Sequence, residues 1–130
     1  MVGEIKLRYI KDDTNKFMDF VGDLELNLNC LAITVATSGA NDIIAPTGAN
    51  KLKIYKVLFS CTLDITGEVY LSWDGAGSKL GSVLHPKAGG EYVLLSISPN
   101  FILGAAGVKL IVNLPSNTES RAIVTYTEIP

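Results

Sequence analysis

"KLKIYKVLFSCTL", residues 51–63, alternates apolar and polar side chains and then changes step part-way. Leu52 and Ile54 share one face; from there on, Tyr55, Val57, Phe59, Cys61 and Leu63 share one. A period of two is that of a half-buried β-strand, because successive side chains point to opposite faces. One change of phase needs one extra residue, so the stretch predicts a bulge near Ile54 or Tyr55, with burial on both faces as the other reading.

The same period recurs on both sides of this stretch. "EIKLRYI" sets Ile5, Leu7 and Tyr9 against Lys6 and Arg8, and "DLELNLN" sets Leu24, Leu26 and Leu28 against Glu25, Asn27 and Asn29. Val69, Leu71 and Trp73 share a face in "GEVYLSW", as do Val108, Leu110, Val112 and Leu114 in "GVKLIVNLP". The β-branched and aromatic run "RAIVTYTEI" reads as a last strand. Between the runs stand turn signals such as "TSGAND", "APTGAN", "DGAGS", "PKAGG" and "LGAAG". No window combines helical period with helix-compatible composition. Many short strands punctuated by turns predict an all-β fold, a two-sheet antiparallel β-sandwich of jelly-roll type or a closed barrel, and the sandwich is the reading adopted. The turn at "KDDTN" and the break near "FVGD", residues 20–23, separate an N-terminal hairpin or arm (residues 1–20) from a sandwich domain (residues 21–130).

A chain of 130 residues is most economically one domain. It can bury about two-thirds of its unfolded surface without help from a metal or disulfide. Charged residues make up 18% of it, against roughly 25% in typical soluble proteins. A surface so poor in charge must be hidden, either in a well-packed core or against partners. The net charge is −2 and the cations are scattered, so no basic stripe for nucleic acid is expected. No apolar run reaches the length of a membrane span, and "MVGEIKLRYIKDD" lacks the apolar segment of a secretory signal. Cys30 and Cys61 are expected to be buried free thiols, with a single disulfide as the alternative.

Candidate chemistry is sparse. His85 is the sole histidine and precedes Pro86 in a turn; without a nucleophile elbow or an orienting third group it reads as a solvated loop residue. The glycines of "HPKAGGEYV" could offer N–H groups to an anion beside Lys87, but a strand follows where a helix N-terminus would be needed. Gly89 and Gly90 therefore read as a corner of the sheet. Asp12, Asp13, Asn15 and Asp19 form the densest oxygen cluster but lack the spacing of a calcium loop. Cys30, Cys61 and His85 lack zinc spacing, so no metal or cofactor is expected. Trp73 could be a sugar-stacking platform, but its phase puts it on the core face. Tyr55, Tyr70 and Tyr92, on opposite faces of their strands, are compatible with a subunit interface or with ordinary surface placement.

From about Gly22 to the C-terminus, the succession "NDIIAPTGANKLKIYKVLFS", "GEVYLSWDGAGSKLGS", "KAGGEYVLLSISPNFILGAAGVKLIVNL" and "AIVTYTEI" resembles a group of small tailed-phage and prophage virion proteins. Members of this group resemble jelly-roll head cement, or decoration, proteins. "LHPK", Cys61 and the N-terminal opening depart from the group's pattern. The resemblance implies a non-enzymatic virion structural protein, made in the cytoplasm of a bacterial host, that binds and reinforces the capsid exterior. Its implied partners are the major capsid protein and copies of itself, as a dimer or trimer, with neither nucleic acid nor membrane. Ile5, Leu7 and Tyr9 are the expected contacts of an arm pairing with a neighbour's sheet edge. The alternative is a receptor- or carbohydrate-binding sandwich of a tail fibre or adhesin, for which exposure of Trp73 is the discriminating observation.

Overall fold

Strand pairing locates the change of phase in residues 51–63. In the computed structural model, which describes residues 28–130, the strand Lys51–Cys61 pairs with the C-terminal strand Ser120–Ile129 as Ile54↔Tyr126 and then Lys56↔Thr125. Tyr55 is thus the extra residue of a bulge. It rotates the strand so that Leu52 and Ile54 before it, and Val57, Phe59 and Cys61 after it, enter the same core. Two expectations for this stretch are corrected. Tyr55 does not share the face of Val57 and Phe59, because the bulge takes it out of the alternation. Leu63 lies beyond the strand's end and is exposed.

Nine strands follow one another along the described chain. They are β1 (Asn29–Val35), β2 (Gly39–Ile44), β3 (Lys51–Cys61), β4 (Val69–Trp73), β5 (Leu80–Leu84), β6 (Glu91–Ser96), β7 (Ile102–Leu103), β8 (Leu110–Leu114) and β9 (Ser120–Ile129). No helix occurs among the described residues. One sheet, here sheet A, has the order β1-β9-β3-β6, with β7 also paired to β3; the other, sheet B, has the order β2-β8-β4-β5. All pairings are antiparallel. The chain therefore forms a two-sheet antiparallel β-sandwich. Only the connections β4 to β5 and β6 to β7 stay within one sheet; every other one crosses between the two.

β3 is the central staff of sheet A. It carries four of the largest fully buried side chains, Leu52, Ile54, Val57 and Phe59, each stabilising by about 1.5–3 kcal/mol through apolar burial. They meet Val69 and Leu71 of β4, Leu94 and Leu95 of β6, Leu110, Val112 and Leu114 of β8, and Ala122 and Val124 of β9. β6 and β7 lie end to end along one edge of β3, separated by an excursion at residues 97–101 opposite the Tyr55 bulge. The Ile97 N–H donates to the Tyr55 carbonyl at 3.1 Å, and the Phe101 ring packs 5.6 Å from that of Tyr55. The long side of the sandwich is closed where β5 meets β6: a Cβ on Gly81 would fall on the Leu94 carbonyl oxygen.

The cysteines depart in part from expectation. Both are free, but only Cys61 is buried; Cys30 is exposed on β1, at the edge of sheet A. Cys30 pairs with Thr125 and Cys61 with Ser120. These partners stand five residues apart on β9, about 17 Å at strand rise, far beyond the reach of a disulfide. Burial, with the Asp64 carboxylate nearby, pushes the Cys61 thiol up from its ordinary value, which weakens it as a nucleophile. Alkylation of the native protein is expected to label Cys30 promptly and Cys61 only after denaturant is added. Equal native rates would contradict this placement.

The expected arm (residues 1–20) with Ile5, Leu7 and Tyr9, the cluster Asp12, Asp13, Asn15 and Asp19, and most of "DLELNLN" lie outside the described residues.

Candidate interaction surface

The corner at residues 85–90 is the first candidate for chemistry, and the N–H groups of residues 87–90 are all engaged. The Lys87 N–H donates to Tyr92 Oη at 2.8 Å and the Ala88 N–H to Asp64 Oδ1 at 2.8 Å. The Gly89 N–H donates to the Cys61 carbonyl at 3.0 Å and the Gly90 N–H to the Lys87 carbonyl at 3.3 Å. Four successive amides thus point at acceptors of the chain itself, and none is left to cradle an anion. The two glycines serve different ends. Gly89 has φ +77, and a Cβ on Gly90 would collide with the Tyr92 ring. His85 is exposed, while Pro86 beside it is fully buried and its carbonyl accepts the Ile65 N–H at 3.0 Å.

Trp73 sits where its phase places it. It is half-buried against the core, with the six-membered end of its indole 2.9 Å from where a Cβ on Gly104 would stand. A stacking platform needs an exposed ring, whereas Trp73 is half-buried with Gly104 close against its six-membered ring. The three tyrosines have separate roles. Tyr55 is the bulge residue, and Tyr70 lies under the Lys79 ammonium at 4.8 Å. Tyr92 pairs with core-facing Phe59 and ties down the corner through its hydroxyl, so it is not on the outer face. Among the described residues, no three His, Cys, Asp or Glu side chains converge as metal ligands. A shallow polar cavity of about 190 Å³ lies beside Cys61 and Arg121 at one end of sheet A.

The outer faces of the two sheets differ sharply. On sheet B, Lys109 pairs with Asp42 at 2.9 Å, Asn113 Nδ2 donates to Ser72 Oγ at 2.9 Å, and Ile111 is buried among these side chains' strands. At its rim, Lys79 meets Glu68 at 2.6 Å. Among the described residues, that face thus carries polar side chains paired with one another.

On sheet A the strand registers align Ala32, Ile123, Leu58 and Val93 in one row across β1, β9, β3 and β6. Ala32 and Val93 are exposed, and Ile123 and Leu58 half-buried. On one side runs the row Thr34, Arg121, Ser60 and Glu91; on the other run Cys30, Thr125, Lys56 and Ser96. Beyond these, Leu103 is half-exposed beside Lys53, whose ammonium lies 4.4 Å from the Phe101 ring centre. Among the described residues, Lys53, Lys56 and Arg121 have no carboxylate within ion-pair distance, whereas Lys79, Lys87 and Lys109 each have one. An apolar row flanked by Arg121 and Glu91 on one side and by Lys56 on the other is the feature that sequence reading missed. It exists only because four strands distant in sequence fall into this register.

A third polar cluster is structural. Glu128 accepts the Thr47 N–H and the Asn50 side-chain amide, the latter at 2.9 Å, pinning the β2–β3 turn to the end of β9. Those two donors hold its carboxyl below the ordinary glutamate range. A depressed folded value contributes stability above the unfolded pKa, about 4.3. That contribution is lost as pH falls through the folded value. Glu128→Gln is expected to flatten the acid limb of stability against pH, measured by denaturant midpoints. An unchanged limb would show that these contacts do not persist in solution.

In comparisons with known proteins, no family model matches the sequence, and no curated protein matches it either. Fold and surface therefore define the class by themselves: a two-sheet antiparallel β-sandwich with polar pairs on one outer face and an apolar row between polar rows on the other.

Proposed function

We propose that the chain is a non-enzymatic structural protein of a tailed-phage or prophage virion: a jelly-roll subunit that binds the capsid exterior and reinforces it as a head cement or decoration protein. The observation that carries the reading is the outer face of sheet A, where a chain poor in charge lines up Ala32, Ile123, Leu58 and Val93 between rows that hold Arg121 and Lys56. The alternation of successive strands between sheets supports a jelly roll, with β1-β9-β3-β6 facing β2-β8-β4-β5. The sequence resemblance selects the virion. A subunit that binds the assembled shell and not its dissociated parts stabilises the shell by mass action. Many copies holding neighbouring capsomers add avidity without large individual contacts.

The receptor- or carbohydrate-binding alternative finds no support at Trp73, which is half-buried with Gly104 close against its ring. Mass spectrometry and imaging of purified virions are expected to find the protein on heads; its confinement to tails would overturn the reading. The double substitution Leu58→Asp and Ile123→Asp is expected to leave the β-type circular dichroism intact and weaken retention on capsids at least tenfold. Full retention would remove sheet A's outer face from the attachment.

A further inference from the structure

The four sheet edges are protected to very different degrees. β2 carries Asp42 and a register shift, and β5 is packed onto β6 at Gly81. The edge formed by β6 and β7 bears Glu91 and is broken by the excursion at residues 97–101. β1 has none of these devices. Its seven residues, NCLAITV, contain no charge and no proline, and pair with β9 in unbroken register. Asn29, Cys30, Leu31, Ala32 and Thr34 are exposed, and among the described residues β9 is the only strand bonded to β1. An uncharged, regular, exposed edge is a template for another strand.

We propose that the occupant of this edge is β1 of a second copy of the chain, paired antiparallel with Ala32 on the two-fold axis. This goes beyond the capsid attachment of the proposed function and does not rest on it. An antiparallel pair must keep each sheet face continuous, so the axis has to pass through a residue, and Ala32 is the centre of the strand. Leu31 then lies opposite Ile33 of the second copy, and Cys30 opposite its Thr34. The outer-face row extends without a break, from Val93 through Leu58, Ile123 and Ala32 to the same four residues in reverse. Electrostatics allow the pairing. In the flanking row, Arg121 and Lys56 of the second copy are four strand spacings apart, about 19 Å, well beyond the Debye length of about 8 Å at physiological salt. No charged pair stands opposite another across the junction.

Cysteine cross-linking of the full chain reads both the pairing and its register. Two Cys30 residues would lie four positions apart along the junction, about 14 Å, and should not bridge. Ala32→Cys brings two thiols face to face. Oxidation is expected to give covalent dimers from Ala32→Cys and none from the unmodified protein. Sedimentation should show a concentration-dependent dimer, and Ala32→Lys, which places like charges directly opposite, should raise its dissociation constant about fivefold with unchanged circular dichroism. Dimers linked through Cys30, a trimer, or a monomer at every concentration would each overturn the proposal. Hydrogen exchange identifies the occupant: β1 amide protection should rise with protein concentration. Protection independent of concentration would assign the edge to the chain's own residues and overturn the proposal. All these readouts are made without capsids, so a failure of capsid binding leaves this inference standing.

Discussion

Gly81→Ala, the addition of one methyl group, is expected to destabilise the sandwich by about 2–5 kcal/mol. Two separate effects add at this position. Gly81 has φ +66, a left-handed conformation that costs an L-residue about 1–2 kcal/mol. The new Cβ would also fall on the Leu94 carbonyl oxygen of β6, and backbone cannot rotate away as a side chain can. Overpacking of that kind costs about 1–3 kcal/mol. Gly48 separates the two terms, since it has φ +56 but nothing within 4 Å of its missing Cβ. Gly48→Ala should therefore show only the conformational cost. Urea midpoints for the two variants measure the difference. Equal losses would mean that β5 and β6 are not in close contact at this point.

Phe59→Ala should cost about 3–5 kcal/mol, the range for removing a buried aromatic side chain and leaving a cavity. Phe59 is 1% exposed and is the largest fully buried side chain described. Against a total stability of about 5–15 kcal/mol for a typical domain, that loss brings the fold near its limit. Leu58, its neighbour in sequence, points to the other face and is half-buried. Leu58→Ala should cost about 1 kcal/mol or less, in line with partial burial. The contrast between adjacent residues tests the strand phase after the bulge. Comparable losses would put both residues in the core and contradict the bulge at Tyr55.

The alternation that makes β3, β4 and β8 was legible in the sequence because each is a strand with one face in the core, and its pattern is written locally; β9 was legible from its β-branched and aromatic composition. The bulge was legible for the same reason, since it appears as a change of phase within eleven residues. The corner at Gly89 and Gly90 could be read from turn chemistry alone. The exposure of Cys30 could not. Cys30 lies on the outer face of sheet A, in phase with Ala32 and Thr34, and that phase is set by pairing with β9 some ninety positions along the chain. The burial of Ile111 was hidden for a related reason: it is out of phase with Leu110 and Val112, and its sheet partners Asp42 and Ser72 lie far from it in sequence. The row from Ala32 to Val93 depends on three registers at once. Local sequence encodes which residues alternate, but the register that lines them up emerges only when distant strands pair.

The excursion at residues 97–101 has a use outside the protein's own biology. Ser96 is already paired with Lys56 before it leaves the sheet, and Ile102 with Ile54 when it returns. The ladder on either side is fixed by residues outside the excursion, so its length is not dictated by strand alternation. Ser98, Pro99 and Asn100 at its tip are exposed, and such tips are where proteins accept inserted sequence. A peptide epitope spliced between Pro99 and Asn100 would be displayed at the rim of sheet A, held clear of the row formed by Ala32, Ile123, Leu58 and Val93. On a particle coated with many copies, that position would turn the coat into a scaffold for presenting grafted ligands.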